Sequence, residues 1–193
     1  MKHAATALAT AALAAALGAP CAAHGAFDLE ALMALLRAHP PGRVHFDETR
    51  TVSILDRPLD SSGELVFTPP DRLEKRTASP SRERLVADSK QLVIERGGHR
   101  DVIALAEHPE VAVLVESMRA TLAGDRAALE RSYTATVQGD AAAWHLVLRP
   151  RDATLVRLVA RVEIEGNQSS VRRVVIEQAD GDRSLMQISP APP

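Results

Sequence analysis

The sequence predicts an α+β protein built on one antiparallel sheet that has an oily face and a charged face. Three observations predict it. Short alternating apolar runs, each closed by a turn signal, fill residues 44–96 and again 134–189. Helical periodicity is confined to residues 28–38 and 109–133. No long linker or break in composition divides the chain between them, so one domain carries all of these elements.

The first run organises the rest. Gly63 lets the backbone bend where a strand begins, and Leu65 and Phe67 point to one face at the two-residue period. Pro69-Pro70 cannot donate to a sheet ladder, so the strand ends there and Leu73 opens the next. Ahead of it, residues 44–55 alternate through Val44, Phe46, Val52 and Ile54, although Glu48 and Arg50 interrupt that same face. The curved oily face of this meander is the candidate site.

Residues 1–23 start weakly basic at Lys2 and His3, continue as an Ala/Leu run over 4–17 and finish in small residues at Cys21, Ala22 and Ala23. This is the pattern of a secretory signal peptide, and the apolar run falls short of the ~20 residues needed to span a bilayer. Residues 24–193 then form the single mature domain. Cleavage after Ala23 removes the only cysteine, which suits an oxidising compartment, and the periplasm is the expected address. A rival reading makes Cys21 a lipidation site, although Pro20 precedes it where such signals carry a small residue.

Phe27-Asp28-Leu29 opens the first helix: Asp28 caps its free N–H groups, Phe27 staples onto Leu32, and Leu29, Leu32, Met33 and Leu36 share a face. His39-Pro40-Pro41-Gly42 ends it. Further short strands are expected over 73–77, 82–87 and 91–96, with Gly97-Gly98 closing the series and Glu74, Lys75, Arg76, Arg82, Glu83 and Arg84 on a solvated outer face. Pro109 takes a favoured first helical position, and Val111, Leu114, Val115, Met118 and Leu122 fall on one stripe. That stripe either packs on the sheet as core or forms a movable cover. Gly124 stops the helix and Asp125 caps a short one that follows. Strands return over 134–138, 143–149, 155–165, 171–178 and 183–189, separated by Gly139-Asp140, Pro150, Gly166-Asn167 and Asp180-Gly181-Asp182.

Composition narrows function. The formal net charge is −2 and aromatics make up 3% of the 193 residues, which argues against nucleic acid as a partner and leaves few rings to stack on sugars. There is no Gly-x-Ser-x-Gly elbow, no phosphate loop and no histidine pair at ligand spacing on one helix. His45 and His145 read as outward or hydrogen-bonded strand residues, and Asp47 and Glu48 leave their strand on opposite faces, so they cannot act together on one bond. The expectation is a protein that is not an enzyme, with no catalytic residues, no metal and no cofactor. Trp144 shares a face with Leu146 and Leu148, as core or as cavity lining.

In order along the chain, Phe46 with Glu48, Ser62-Gly63-Glu64-Leu65-Val66-Phe67, Pro70-Asp71-Arg72-Leu73, Leu122-Ala123-Gly124-Asp125, 144–150 and Gly181-Asp182 resemble the LolA-like family of periplasmic outer-membrane lipoprotein carriers, in its divergent branch. The resemblance implies an unclosed, curved antiparallel half-barrel with helices covering its concave hydrophobic face. It implies carriage of the acyl chains of a lipoprotein, a lipid or a lipid-linked product towards the outer membrane, with an inner-membrane exporter and an outer-membrane acceptor as partners. The alternative in the same fold is a regulatory or sensor domain that binds lipidated or misfolded envelope proteins. The cavity lining expected on this reading includes Phe46, Leu65, Phe67, Leu114, Met118, Leu122, Trp144 and Leu146. Two positions depart from the carriers proper: Glu48 stands where they show Gln, and Leu73-Glu74-Lys75 stands where they carry an arginine beside an aromatic, so their lid arginine has no counterpart in phase.

Overall fold

A computed structural model describes residues 27–40 and 42–191, the side chains of Glu110 and Leu114 excepted. The leader expected over residues 1–23, with the fate of Cys21, lies outside the described residues. Helix α1 (Leu29–Ala38) leads into strand β1 (Arg43–Thr51). The chain then meanders through β2 (Leu59–Thr68), β3 (Arg72–Ser79), β4 (Glu83–Ala87), β5 (Gln91–Arg96) and β6 (His99–Ala104). Helices α2 (Pro109–Leu122) and α3 (Arg126–Ser132) carry it to the opposite edge. A second meander returns through β7 (Tyr133–Asp140), β8 (Ala143–Pro150), β9 (Val159–Asn167), β10 (Ser170–Gln178) and β11 (Arg183–Pro190), with a short 3-10 turn at Leu155–Arg157.

The result is one unclosed sheet of 11 strands in the order β6-β5-β4-β3-β2-β1-β11-β10-β9-β8-β7. All neighbours are antiparallel, and β1 pairs with β11 at the centre from Val44 opposite Pro190 to Thr51 opposite Arg183. This is the half-barrel expected, with the helices on its concave face. β6 was not expected: Gly97 and Gly98, read as the end of the series, both take positive φ (59° and 82°) and turn β5 into β6 as a tight hairpin. Residues 155–158 are likewise not strand, since Asp152 accepts from Thr154 and Leu155 N–H and holds the chain in a turn before β9.

The helix ends obey the local chemistry. Asp28 accepts from Ala31 N–H at 2.9 Å and Asp125 from Ala128 N–H at 3.0 Å, Pro109 opens α2, and Gly124 stops it at φ 64°. α1 buries Leu29, Leu32, Met33 and Leu36 against Trp144, Leu146 and Leu148 of β8 and Val162 and Ile164 of β9, which forms the main core. A smaller cluster sits near the other edge, where Val115, Val111 and Ala112 of α2 meet Ala87, Leu73 and Leu92. α2 therefore roofs both clusters, since Ala120 and Val113 belong to the main core.

The α2 stripe is rotated from the one expected. Val115 is buried and Val111 and Leu122 are half-buried, but Met118 is 47% exposed, while Ser117, Ala120 and Thr121 face inward. Close approach to α1 is the reason. A Cβ on Gly124 would lie 2.2 Å from the Met33 carbonyl oxygen, so only small side chains fit where the helices meet. Ser117 and Thr121 tolerate this burial because each hydroxyl donates to a carbonyl one turn back, Val113 at 2.6 Å and Ser117 at 3.0 Å.

Candidate functional site

Residues directly opposite in a ladder share a face, so the register maps the concave wall. Phe46 lies opposite Gly63 and Ile188, Val44 opposite Leu65, and Leu65 opposite Lys75. On the far half, Leu146 lies opposite Ile164 and Val137, and Trp144 opposite Gly166 and Gly139. Phe46, Leu65, Phe67, Trp144 and Leu146 are thus on one face, as expected, but they form two groups: Phe46, Leu65 and Phe67 on β1 and β2, Trp144 and Leu146 four strands away on β8 under α1. Phe46, Phe67, Trp144 and Leu146 are buried and Leu65 and Leu122 are half-buried. Leu114 lies on α2, with its side chain outside the described set, and Met118 lies at the exposed margin of that helix.

Glycines shape the wall at two of these positions. A Cβ on Gly63 would fall 1.9 Å from the Arg76 carbonyl oxygen, at the bulge where β2 shifts register against β3. A Cβ on Gly166 would fall 2.2 Å from Trp144 Cζ2, so the indole lies flat over the strand there and donates its N–H to the Gln168 carbonyl at 2.8 Å.

The sequence reading missed a polar node in the middle of this wall. Glu48 accepts from Lys75 Nζ at 2.5 Å and Ser61 Oγ at 3.3 Å on one oxygen, and from Ser184 Oγ at 2.6 Å on the other. Lys75 Nζ also sits 4.8 Å from the centre of the Phe46 ring. Burial alone would raise the Glu48 pKa, but the hydrogen bonds from Lys75, Ser184 and Ser61 and the Lys75 charge outweigh it, and the net shift is downward. The node ties β3, β2, β1 and β11 together. Its signal was legible in principle: Glu48 and Lys75 have the parity of Phe46 and Leu73 along their own strands, and only the register brings them together.

Lys75 also corrects the expected outer face, because alternate residues cannot all point outward. Lys75 is concave, and Glu74 is buried on the convex side under Arg72, Arg76 and Arg84. Burial would raise the Glu74 pKa, but the hydrogen bonds and charges of Arg76 and Arg84 hold it down at about 2. Arg72 and Arg76 are thus engaged away from the roof. A different arginine reaches the sheet from α2: Arg119, held by Glu116 at 2.7 Å, donates to the Pro70 carbonyl at 3.3 Å.

On the convex face His145, Glu163 and Glu165 offer ligand atoms within 4.8 Å of one another. Both carboxylates already have guanidinium partners, Arg161 at 3.1 Å and Arg173 at 2.5 Å, so a cation there would have to displace two arginines. His45 likewise points outward, 3.5 Å from Asp47. A shallow groove of about 650 Å³ at the β3–β6 end is lined by Arg76, Arg84, Arg96 and Arg100 with Glu83 and Glu95, which makes it a polar feature separate from the oily wall.

An open antiparallel half-barrel with an oily face roofed by helices defines a class, and the sequence places the chain within it. The profile of a protein family described as outer membrane lipoprotein carrier protein LolA-like matches residues 21–189, and the chain belongs to that family. Similar solved structures include a LolA superfamily protein from Nitrosomonas europaea, at 10% identity and TM-score 0.43 over 86% of this chain and 94% of that one. LprF from Mycobacterium bovis aligns at 16% identity and TM-score 0.38, again over 86% and 94%. A DUF1329 family protein from Desulfovibrio piger aligns at 9% identity and TM-score 0.46 over 83% and 88%. No curated protein matches the sequence.

Proposed function

We propose that this protein is a periplasmic carrier that shelters acyl chains against the concave wall, with Phe46, Leu65, Phe67, Trp144 and Leu146 as lining on the sheet and Leu114, Met118 and Leu122 on the roof. Membership of a family described as lipoprotein carriers supports the reading. The single observation that carries it is the roof itself. α2 meets the sheet through valines and alanines, Val111, Ala112 and Val115 against Leu73, Ala87 and Leu92, and through the Arg119 contact at Pro70. These are smaller apolar side chains than the leucines that α1 buries, and so α2 is the helix better suited to move. The helices cover part of the wall, α1 over β8 and β9 and α2 over Leu73, Ala87 and Leu92. A cargo would replace that cover at about 25 cal/mol per Å² of apolar surface kept from water, with no covalent chemistry.

A fluorescent fatty-acid probe tests it. Leu114→Glu or Met118→Glu should abolish probe binding, and native mass spectrometry of protein taken from the periplasm should show a bound lipid. No probe binding by the unmodified chain, with no lipid retained, would overturn the carrier reading. A stable complex with a second protein in place of lipid would move it to the regulatory class.

A further inference from the structure

The cargo site lies on the concave face, but the least water-adapted part of the surface lies elsewhere. Among the described residues seven large hydrophobics are exposed, and five of them, Ile54 (87%), Leu55, Leu59, Val156 and Leu158, fall at one end of the sheet. The register puts them there. β1 ends at Thr51 opposite Arg183, the first residue of β11, and Ser53 N–H donates to Asp182 in the β10–β11 turn at 2.9 Å. Ala179 in that turn donates to the Leu158 carbonyl at 3.1 Å, and Val159 lies opposite Gln178. The β1–β2 loop and the 155–158 turn therefore stand side by side, about 14 Å apart across three strand spacings.

A second property coincides with the first. Arg57, Arg82, Arg149, Arg157 and Arg183 have no carboxylate partner among the described residues, whereas arginines elsewhere in the sheet are ion-paired or hydrogen-bonded. All five lie at this same end: in the β1–β2 loop, the β3–β4 turn, the last residues of β8, the 155–157 turn and the start of β11. Of the acidic groups nearby, Asp182 is ion-paired with Arg50 at 3.6 Å, whereas Asp60, Asp152 and Asp180 are held by neutral donors, the Thr49 hydroxyl, Thr154 N–H and Asp182 N–H. Asp56 has no partner among the described residues, so the five arginines outnumber the carboxylates without a cationic partner by one.

Exposed aliphatics interleaved with unpaired arginines match the boundary of an anionic bilayer, where apolar side chains enter the acyl region and guanidiniums meet phosphates. We propose that this rim, centred on Ile54 and Leu55 with Val156 and Leu158 beside them, docks the protein on an anionic phospholipid surface. The proposal rests on the carrier reading only for its purpose, because the rim lies at one end of the sheet, apart from the cargo wall. Docking here presents one end of the half-barrel to the bilayer, which is where a tail would have to cross.

Co-sedimentation of the purified full chain with protein-free vesicles tests it, using equal parts phosphatidylglycerol and phosphatidylcholine against phosphatidylcholine alone. The chain should pellet with the anionic vesicles. Ile54→Asp/Leu55→Asp should reduce partitioning by about ten-fold or more, and Arg57→Glu/Arg157→Glu by about ten-fold. Only the attraction lost in the arginine variant should be mimicked by added salt. Val102→Asp, at an exposed apolar position away from the rim, should change nothing. No pelleting with anionic vesicles, or equal loss with Val102→Asp, overturns the proposal. Binding only to membranes that retain their proteins overturns it too, and assigns the rim to a protein partner. The fatty-acid probe is measured in parallel: rim variants that keep probe binding but lose vesicles support the rim, whereas loss of probe binding by the unmodified chain strikes the carrier reading alone.

Discussion

Removing either partner of the Glu48–Lys75 pair should cost more than removing both. Glu48 and Lys75 have side chains 13% and 25% exposed, so each charge is mostly withdrawn from water and depends on the other. Lys75→Met leaves the carboxylate with the two serine hydroxyls as its remaining donors, and Glu48→Leu leaves an ammonium above the Phe46 ring with no counter-ion. Breaking a fully buried pair costs about 3–5 kcal/mol. The residual exposure of this pair brings the expectation for each single variant to about 2–3 kcal/mol, and for the double variant to about 1 kcal/mol, a coupling of about 3–5 kcal/mol. Urea unfolding followed by the fluorescence of Trp144, the only tryptophan, reads all four corners of the cycle. Acid adds a second axis. The folded Glu48 pKa lies below the ordinary 4.5, so its contribution is present above that value and is lost as pH falls through the lowered pKa. The gap between the parent and Lys75→Met should therefore close on acidification. Single costs that add to the double cost within about 0.5 kcal/mol would refute the node as a coupled unit.

Three further outcomes follow from the packing. Gly166→Ala should destabilise by about 3 kcal/mol and red-shift Trp144 emission, because its Cβ would fall 2.2 Å from the indole and 2.5 Å from the Ser170 carbonyl oxygen; an unchanged spectrum and midpoint would count against the flat indole. Met118→Glu should cost less than about 0.5 kcal/mol in thermal unfolding since Met118 is exposed, whereas Ala120→Glu should cost several kcal/mol as a buried unpaired charge; equal costs would place the α2 roof differently. Glu74→Gln should flatten the acid limb between about pH 4.5 and 2, where a carboxylate held at about 2 loses its contribution, with a change at neutral pH of about 1 kcal/mol because the arginines around it are partly exposed.

Much of the fold was legible because its signals are local. Caps at Asp28 and Asp125, the Pro109 start, the Gly124 stop and two-residue alternation in most strands each depend on a few neighbouring residues. Where the reading failed, the deciding contact was distant. Gly97-Gly98 looks the same from the sequence whether a strand follows or not, and His99-Arg100-Asp101 is too polar to announce an edge strand. The rotation of α2 was set by the approach of Met33 and Arg37 to Gly124, about which the α2 sequence says nothing. For the candidate wall, parity along each strand identified the face, and register decided which residues meet. That is why Phe46, Leu65 and Trp144 fell on the expected side while the Glu48–Lys75–Ser184 node stayed hidden.

The pairing of β1 with β11 has a kinetic consequence. It joins the first strand of the sheet to the last, while every other ladder joins strands consecutive in the chain. The two meanders can each assemble by short-range steps, but they remain two half-sheets until β11 closes on β1. Loop closure over that span adds little to the equilibrium cost, since it grows only with the logarithm of length, yet it sets a late search in the assembly. Until the closure, β1 presents an unpaired edge beside the oily wall, which is the arrangement most prone to pair with another chain. A substitution that weakens β11 at Ile188, opposite Phe46, should therefore show first as aggregation during refolding, ahead of any loss in the folded protein.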